Sequence, residues 1–341
     1  MKKLSILFLA AMSLNSYGWG DLGHATIGYL AEKNLSPEGK KFIYNVLGGE
    51  PLALSSTYPD NVRDDERYLG FANYHFFEIR PGQTYETIPK EDLAKKSADT
   101  IISQVPSALV SKRGVNIFQK QIILRYLIHV IGDVHQPLHV GNGLDRGANL
   151  CDIISGENRL NLHSFWDTNL LDTFRPIILN QASQNQKPIK YYSYKNFGDY
   201  LWQQAEKDGS LIELQKKVEG TSKSDWYKEA QQLHSEVYPD ERPVNHPSER
   251  GYCKLVNLKT GSIEMGNYSV DKIPKISPDY IKNSQSLVKK QILLGALRVK
   301  QVIEQMAKEI NVRPMTAEQE IAFFNKIMFE TDTGMKGHDH H

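Results

Sequence analysis

One helix constrains this chain more than any other stretch. "GVNIFQKQIILRYLIHVIGDVHQPLH" is strongly apolar and predicts a buried helix that stops before Pro137, yet it carries His129 and Asp133. At i and i+4 these side chains lie one above the other on the same helix face. An ionised aspartate taken into a core without a partner is very costly. The pair must therefore face either a compensating core group or something charged. His139 follows just after the proline break. His135 falls off the face of Asp133 and reads as a supporting or structural residue.

A second i, i+4 pair, His163 and Asp167, appears in "NLHSFWD", on a shorter helix expected to begin near Leu160. Asp60 lies in "YPDNVR", His75 in "NYHFFE", and His24 in "WGDLGH". One pair alone reads as a hydrogen-bonded core pair. Two pairs with further histidines and another aspartate favour a metal site, because imidazole and carboxylate suit a borderline ion such as zinc and carboxylates can bridge two ions. His234 and His246 sit in polar contexts and read as surface residues. The cysteines, Cys151 and Cys253, are too few and too far apart for a thiolate site. They permit one disulfide, with two buried free thiols as the alternative.

The rest of the chain predicts a mainly helical protein. Helices are expected over "HATIGYLAEKNL", about 37 to 47 (ending at Gly48-Gly49), 91 to 112, 195 to 236, and "PDYIKNSQSLVKKQILLGALRVKQVIEQMA". Residues 51 to 90 read as irregular, and strand character is expected only in a small irregular or hairpin excursion near 240 to 270. At the N-terminus, Lys2 and Lys3 precede a short apolar run, and Ser16 and Gly18 suit a signal peptidase. Cleavage after Gly18 would give Trp19 a free α-amine, and that amine, rather than the indole ring, is the expected reason for Trp19. The chain is thus expected to be exported, secreted or periplasmic, without a membrane span.

Removing Lys2 and Lys3 leaves 39 basic against 40 acidic residues, a formal charge of −1. A protein that grips nucleic acid by a broad basic face carries a clear cationic excess. Here, positive charge for a phosphate would have to be concentrated locally, and a metal cluster does that.

The order and spacing of "WGDLGH", "YPDNVR", "YHFFE", "HVIGDVHQPLH", "DRGAN" and "NLHSFWD", with the long C-terminal helix, resemble the zinc-dependent single-strand-specific nucleases and 3′-nucleotidases. These share a fold with the bacterial zinc phospholipases C. The resemblance implies a single compact helical domain over 19–313, after a signal peptide (1–18) and before a C-terminal extension (314–341). It implies three zinc ions: one held by Asp60, His75, His129 and Asp133; a close neighbour held by the amine and carbonyl of Trp19, His24 and a bridging Asp133; and a third held by His139, His163 and Asp167. Two close zincs would lower the pKa of a shared water for in-line attack on phosphorus. The third would stabilise the leaving 3′ oxygen, so products keep a 5′-phosphate.

The resemblance further gives Arg63 a phosphate-supporting role, Phe76 a base-stacking role and Asn149 a base-edge contact; core packing is the alternative for Phe76, and a salt bridge with Asp64 or Asp65 for Arg63. Catalysis would thus fall to Asp60, Arg63 and Asp133. Glu78 stands where the family usually has Asp, and Ala148 replaces a glycine, a small steric change in the same pocket. The implied substrates are single-stranded DNA and RNA and 3′-nucleotides, handled by a monomer. A zinc phospholipase C and a catalytically silent zinc-binding protein are the alternatives. The end of the chain, His338-Asp339-His340-His341, reads as a tag remnant or solvated end, with metal binding as the sharper alternative.

Overall fold

The computed structural model describes residues 18–93, 95, 97–111, 116–184, 192–240 and 250–310. Most of the expected leader, His246 and everything beyond residue 310, including the His-rich end, lie outside them. Within them the longer helices are α1 (Gly20–Lys33), α2 (Pro37–Leu47), α3 (Ala98–Val110), α4 (Ile117–Asp133), α5 (Arg175–Gln184), α6 (Tyr194–Lys207), α7 (Ser210–Glu219), α8 (Lys223–Gln232) and α9 (Pro278–Glu309).

Their ends follow local chemistry. Ser36 caps α2 by accepting from Gly39 N, Pro37 takes the first turn, and Gly48 leaves in the left-handed region at φ 66°. Asn116 and Gln119 form a reciprocal capping box on α4. Ser277 and Pro278 start α9, whose buried stripe includes Val288, Ile292, Val299, Ile303 and Met306. That stripe packs on α1 and α2, and also reaches α3, α4 and α7. One hydrophobic core, running from Trp19 to Met306, results. The architecture is mainly α.

Two local devices position the ligand-bearing segments. Gly28 lets α1 approach the helical turn Leu52–Ser55: a Cβ there would lie 2.4 Å from the Leu52 carbonyl oxygen. A two-residue parallel pair, β1 (Phe77–Glu78) with β2 (Val140–Gly141), then sets the chain after His75 beside the chain after His139. The antiparallel hairpin β5 (Leu255–Val256) with β6 (Ile263–Glu264) lies within the expected excursion.

Several expectations need correction. A further hairpin, β3 (Asp152–Ser155) with β4 (Asn158–Asn161), precedes His163, so strand structure is not confined to 240–270. Its two-residue turn places Gly156 at φ 61°, in keeping with the glycine such turns favour. The helix expected near Leu160 starts at Leu162 because β4 occupies the residues before it. The 91–112 segment is a short turn, Lys90–Leu93, followed by α3, and 51–90 contains helical turns at Leu52–Ser55 and Tyr58–Asn61. Trp19 is fully buried, so its indole does anchor the core. His234 is half-buried, its Nε2 lying 3.1 Å from the Pro137 carbonyl oxygen. Cys151 and Cys253 are joined as a disulfide.

Candidate metal centre

Five of the expected ligands meet where α1, α4, the Tyr58–Asn61 turn and the turn ending at His75 converge. Asp133 is the hub. Its Oδ1 lies 3.2 Å from His24 Nε2, and its Oδ2 lies 3.2 Å from His75 Nδ1 and 3.1 Å from His129 Nε2. Asp60 closes the group at 3.7 Å from His75 Nδ1 and 3.6 Å from His129 Nε2. His24 and His129 stack with ring centroids 3.8 Å apart. The His129 ring is aimed by the Ser56 carbonyl, 2.7 Å from Nδ1, which turns Nε2 into the cluster.

Hydrogen bonding leaves this group unsatisfied. Both oxygens of Asp60 and Asp133, and both ring nitrogens of His24, are buried without a hydrogen-bond partner. Buried polar atoms are normally paired, so such a concentration needs an ion or an equivalent. Burial pulls His129 down, but the carboxylates of Asp133 and Asp60 outweigh it and hold its pKa up to about 9. Asp133 resists burial through the charges of His129 and His139 and is held well below the usual carboxylate range.

A second group, His139, His163 and Asp167, stands beside the first. Here every ligand is tied from behind. His139 Nδ1 lies 2.7 Å from the His75 carbonyl oxygen, and His163 Nδ1 lies 2.5 Å from that of Gly147. Facing carbonyls, both Nδ1 atoms carry the proton, so the two Nε2 lone pairs point at one another across 3.1 Å. Two lone pairs held that way repel unless a cation lies between them. Gln136 Nε2 donates to Asp167 Oδ1 at 2.7 Å, while Oδ2 faces His163 Nε2 at 3.2 Å. Asp167 itself sits in a π-helical stretch, Phe165–Asn169, a distortion frequent at functional sites. Burial, then the unfavourable electrostatics of a proton beside His139, lowers the His163 pKa to about 3.

The donors fit a borderline divalent ion: imidazole nitrogens and carboxylate oxygens gather in three triads, His24–His129–Asp133, Asp60–His75–His129 and His139–His163–Asp167, each residue offering one atom within 4.8 Å of the others in its triad. Asp145, Cys151 and Cys253 also cluster, but the disulfide removes the thiolates.

The expected substrate residues follow the ligand-bearing segments along the chain, with Arg63 three residues after Asp60 and Phe76 and Glu78 one and three after His75. Phe76 is 39% exposed, which excludes the core-packing alternative. The charge of Arg63 reaches His163 and helps depress it, while Asp65 is engaged by Arg67 at 2.6 Å. Glu78 is raised above the usual carboxylate range, by burial first; Arg80 opposes the rise and Asp145 adds to it. Asn149 donates from Nδ2 to the Arg146 carbonyl at 2.9 Å. Trp19 opens α1, and the backbone before it touches the first group: a Cβ on Gly18 would lie 2.1 Å from Asp133 Oδ1 and 2.7 Å from His24 Nε2.

The loop holding His163 carries a feature that residue types alone do not announce. Arg146, Gly147 and Ala148 have φ of 54°, 58° and 65°, three consecutive left-handed residues. Each costs a non-glycine residue about 1–2 kcal/mol. Ala148 is therefore a conformational change relative to glycine as well as a small steric one. Gly147 has no alternative, since a Cβ there would lie 2.4 Å from the Leu138 carbonyl oxygen. Buried Asp145 holds the turn, accepting from Ala148 N at 2.9 Å, Asn142 Nδ2 at 2.9 Å and the Tyr238 hydroxyl at 2.6 Å. Sequence reasoning misses Gln136, Ser56 and Asp145 in these roles. An amide between the candidate ligands Asp133 and His139 in "DVHQPLH" is the available signal for Gln136. His135 is structural: its Nδ1 lies 2.6 Å from the Ile131 carbonyl oxygen, and Nε2 lies 2.7 Å from Arg298.

Comparison with known proteins finds similarity to nucleases. A family model described as S1/P1 Nuclease matches residues 19–308. Nuclease S1 of Aspergillus oryzae is 31% identical over 167 residues, covering 47% of this chain and 57% of that protein. Nuclease P1 of Penicillium citrinum is 30% identical over 155 residues, 44% of this chain and 57% of that protein. Endonuclease 2 of Arabidopsis thaliana is 26% identical over 181 residues, 49% and 61%. In these alignments the chain spans less than two thirds of the relatives' length.

Proposed function

The chain belongs to the S1/P1 nuclease family, and from that premise we propose that it is an exported, zinc-dependent phosphodiesterase. Its substrates are single-stranded DNA and RNA and 3′-mononucleotides, cut to leave 5′-phosphates. The observation that carries this reading is the donor chemistry: orphaned carboxylates in one group and two opposed imidazole lone pairs in the next. Asp60, His75, His129 and Asp133 would hold one zinc. His24, Asp133 and the amine and carbonyl of Trp19 would hold a second, and His139, His163 and Asp167 a third. When bound, the ions supply Lewis acidity and water acidified to near neutral pH.

The chain's own groups do the rest. Asp133 presents one oxygen to each half of the first group and so sets their spacing. The Ser56, His75 and Gly147 carbonyls orient His129, His139 and His163. Arg63, whose charge is felt at His163, supports the phosphate between the groups. Phe76 offers an exposed ring beside His75 for an unstacked base, a contact of about 1–3 kcal/mol that any base can make. That preference selects single strands, because duplex bases are already stacked. Asn149 and Glu78 meet the base edge.

Export would complete the second site. Cleavage before Trp19 would free an amine beside Asp133 and His24, where the Gly18 backbone lies. No helix among the described residues is long and apolar enough to cross a membrane. The protein acts as a monomer on this reading.

The test is metal stoichiometry measured with hydrolysis of single-stranded DNA, RNA and a 3′-mononucleotide. Three zincs per chain with turnover of all three substrates is expected. Phosphatidylcholine hydrolysis with inert single-stranded DNA would identify a phospholipase C instead. Full zinc loading without turnover of any phosphodiester would identify a zinc-binding protein.

A further inference from the structure

Arg146 occupies a costly position for no internal return. It is exposed, it sits at φ 54°, and among the described residues its guanidinium has no hydrogen bond or ion pair. Glycine would adopt that backbone freely. The turn does not use the Arg146 side chain: Asp145 organises it, Gly147 supplies the carbonyl that aims His163, and Arg146 contributes only its own carbonyl, to Asn149. Non-glycine residues held in the left-handed region cluster at binding and catalytic sites, where a side chain is needed despite the strain.

The surroundings say what that side chain meets. Arg146 is one residue from Gly147, whose carbonyl holds His163, and three from Asn149. The second group is built from two imidazoles and a carboxylate, and a formal charge of about zero overall leaves the protein little long-range attraction for a polyanion. An uncommitted guanidinium on the turn whose next residue, Gly147, aims His163 supplies it locally. Its planar donor fork matches a phosphate bidentately.

We propose that Arg146 is a substrate-positioning residue that binds a backbone phosphate of the single strand on the leaving-group side, next to the scissile bond. This rests on the reading of the protein as a single-strand nuclease. The side chain adds a phosphate contact, not a base contact, so it strengthens binding of any sequence and does so in a salt-dependent way.

The experiment uses the zinc-loaded protein and a phosphorothioate single-stranded oligonucleotide that resists cleavage. Binding is followed by fluorescence anisotropy across a salt series for the wild type, Arg146→Gly and Arg146→Lys. Arg146→Gly should bind about 3–10-fold more weakly at low salt, with the logarithmic salt slope reduced by about 0.7, the value for one phosphate on a single strand. Its melting temperature should be no lower than wild type, because glycine relaxes the turn, and this separates lost binding from lost folding. Arg146→Lys should recover most of the slope. Arg146→Gly binding with wild-type affinity and slope, while the wild type binds the oligonucleotide, overturns the role of Arg146 alone. Equal weakening in the glycine and lysine variants also overturns it, since charge would then not be the cause. A wild-type protein that binds no oligonucleotide overturns the nuclease reading together with this one.

Discussion

The two ligand groups are neighbours, yet they are held to different degrees: the Ser56 carbonyl braces His129 in the first, whereas in the second every ligand is braced. In the group around Asp133, carboxylate oxygens and the ring nitrogens of His24 have no hydrogen-bond partner. In the group around His163, each ligand is braced from behind by a carbonyl or by the Gln136 amide. The first group depends on its ions for electrostatic compensation. In the second every ligand is preorganised by the protein, and its ion would separate the two opposed Nε2 lone pairs. A buried cluster can therefore be stabilised either by what it binds or by what stands behind it, and the two halves should fail differently.

The largest expected effect breaks the first group at its hub. Asp133→Asn should remove most of the bound zinc and lower kcat/KM by about a thousandfold or more, since several kcal/mol of Lewis-acid stabilisation goes with the ions. Wild-type-like hydrolysis by this variant would refute the shared-ligand assignment. Next comes the backbone before Trp19, which lies against Asp133 and His24. Protein retaining residues before Trp19 should bind one zinc fewer and lose nearly all activity; mass spectrometry of the N-terminus with metal analysis checks this, and full activity with an extension would sink it.

The second group should yield more gently. Gln136→Ala removes the brace on Asp167 and should weaken one ion about 10–100-fold while leaving the other two in place. Competitive chelation, resolving the ions by affinity, measures it; uniform weakening of all three would dissolve the distinction between the groups.

The smallest effect sharpens the contrast by pH, in chelated protein. His163 is neutral when folded, with its pKa lowered to about 3 by burial and the unfavourable electrostatics of a proton beside His139. The unfolded state binds the extra proton below about 6.5, so this contribution is complete above that value and is lost as the pH falls toward about 3. His129 runs the other way: its pKa, held up to about 9 by Asp133 and Asp60 against burial, gives stability below about 6.5 that is lost as the pH rises through 9. Thermal unfolding across about pH 4 to 10 should show losses at both ends. Zinc should flatten the alkaline loss, because a ligand imidazole must be deprotonated to bind metal. An alkaline loss of the same size with zinc bound would count against His129 as a ligand.

Much of this contrast is legible in the residues themselves. The i, i+4 spacing places His129 with Asp133 and His163 with Asp167, because helical periodicity is a local property. Capping residues at Ser36, Asn116 and Ser277 mark helix starts for the same reason. The hairpin around Gly156 escapes a reading of the sequence because its alternation is weak and its strands are short. His234 and Trp19 are misplaced by such a reading because burial depends on what packs from elsewhere in the chain, which residue type alone does not reveal.

The sequence by itself determined which residue types could bind a cation and at what spacing along each helix. Only the tertiary structure decided which imidazole nitrogen faces the cluster, which oxygen of Asp133 serves which half, and that Asp145 holds a strained turn with Arg146 projecting from it. Those choices are made by single hydrogen bonds between residues far apart in the chain, such as His129 to Ser56 and His139 to His75. Periodicity constrains neighbours within a few residues, whereas the direction of a lone pair is set by whichever distant carbonyl packing brings to the other side of the ring.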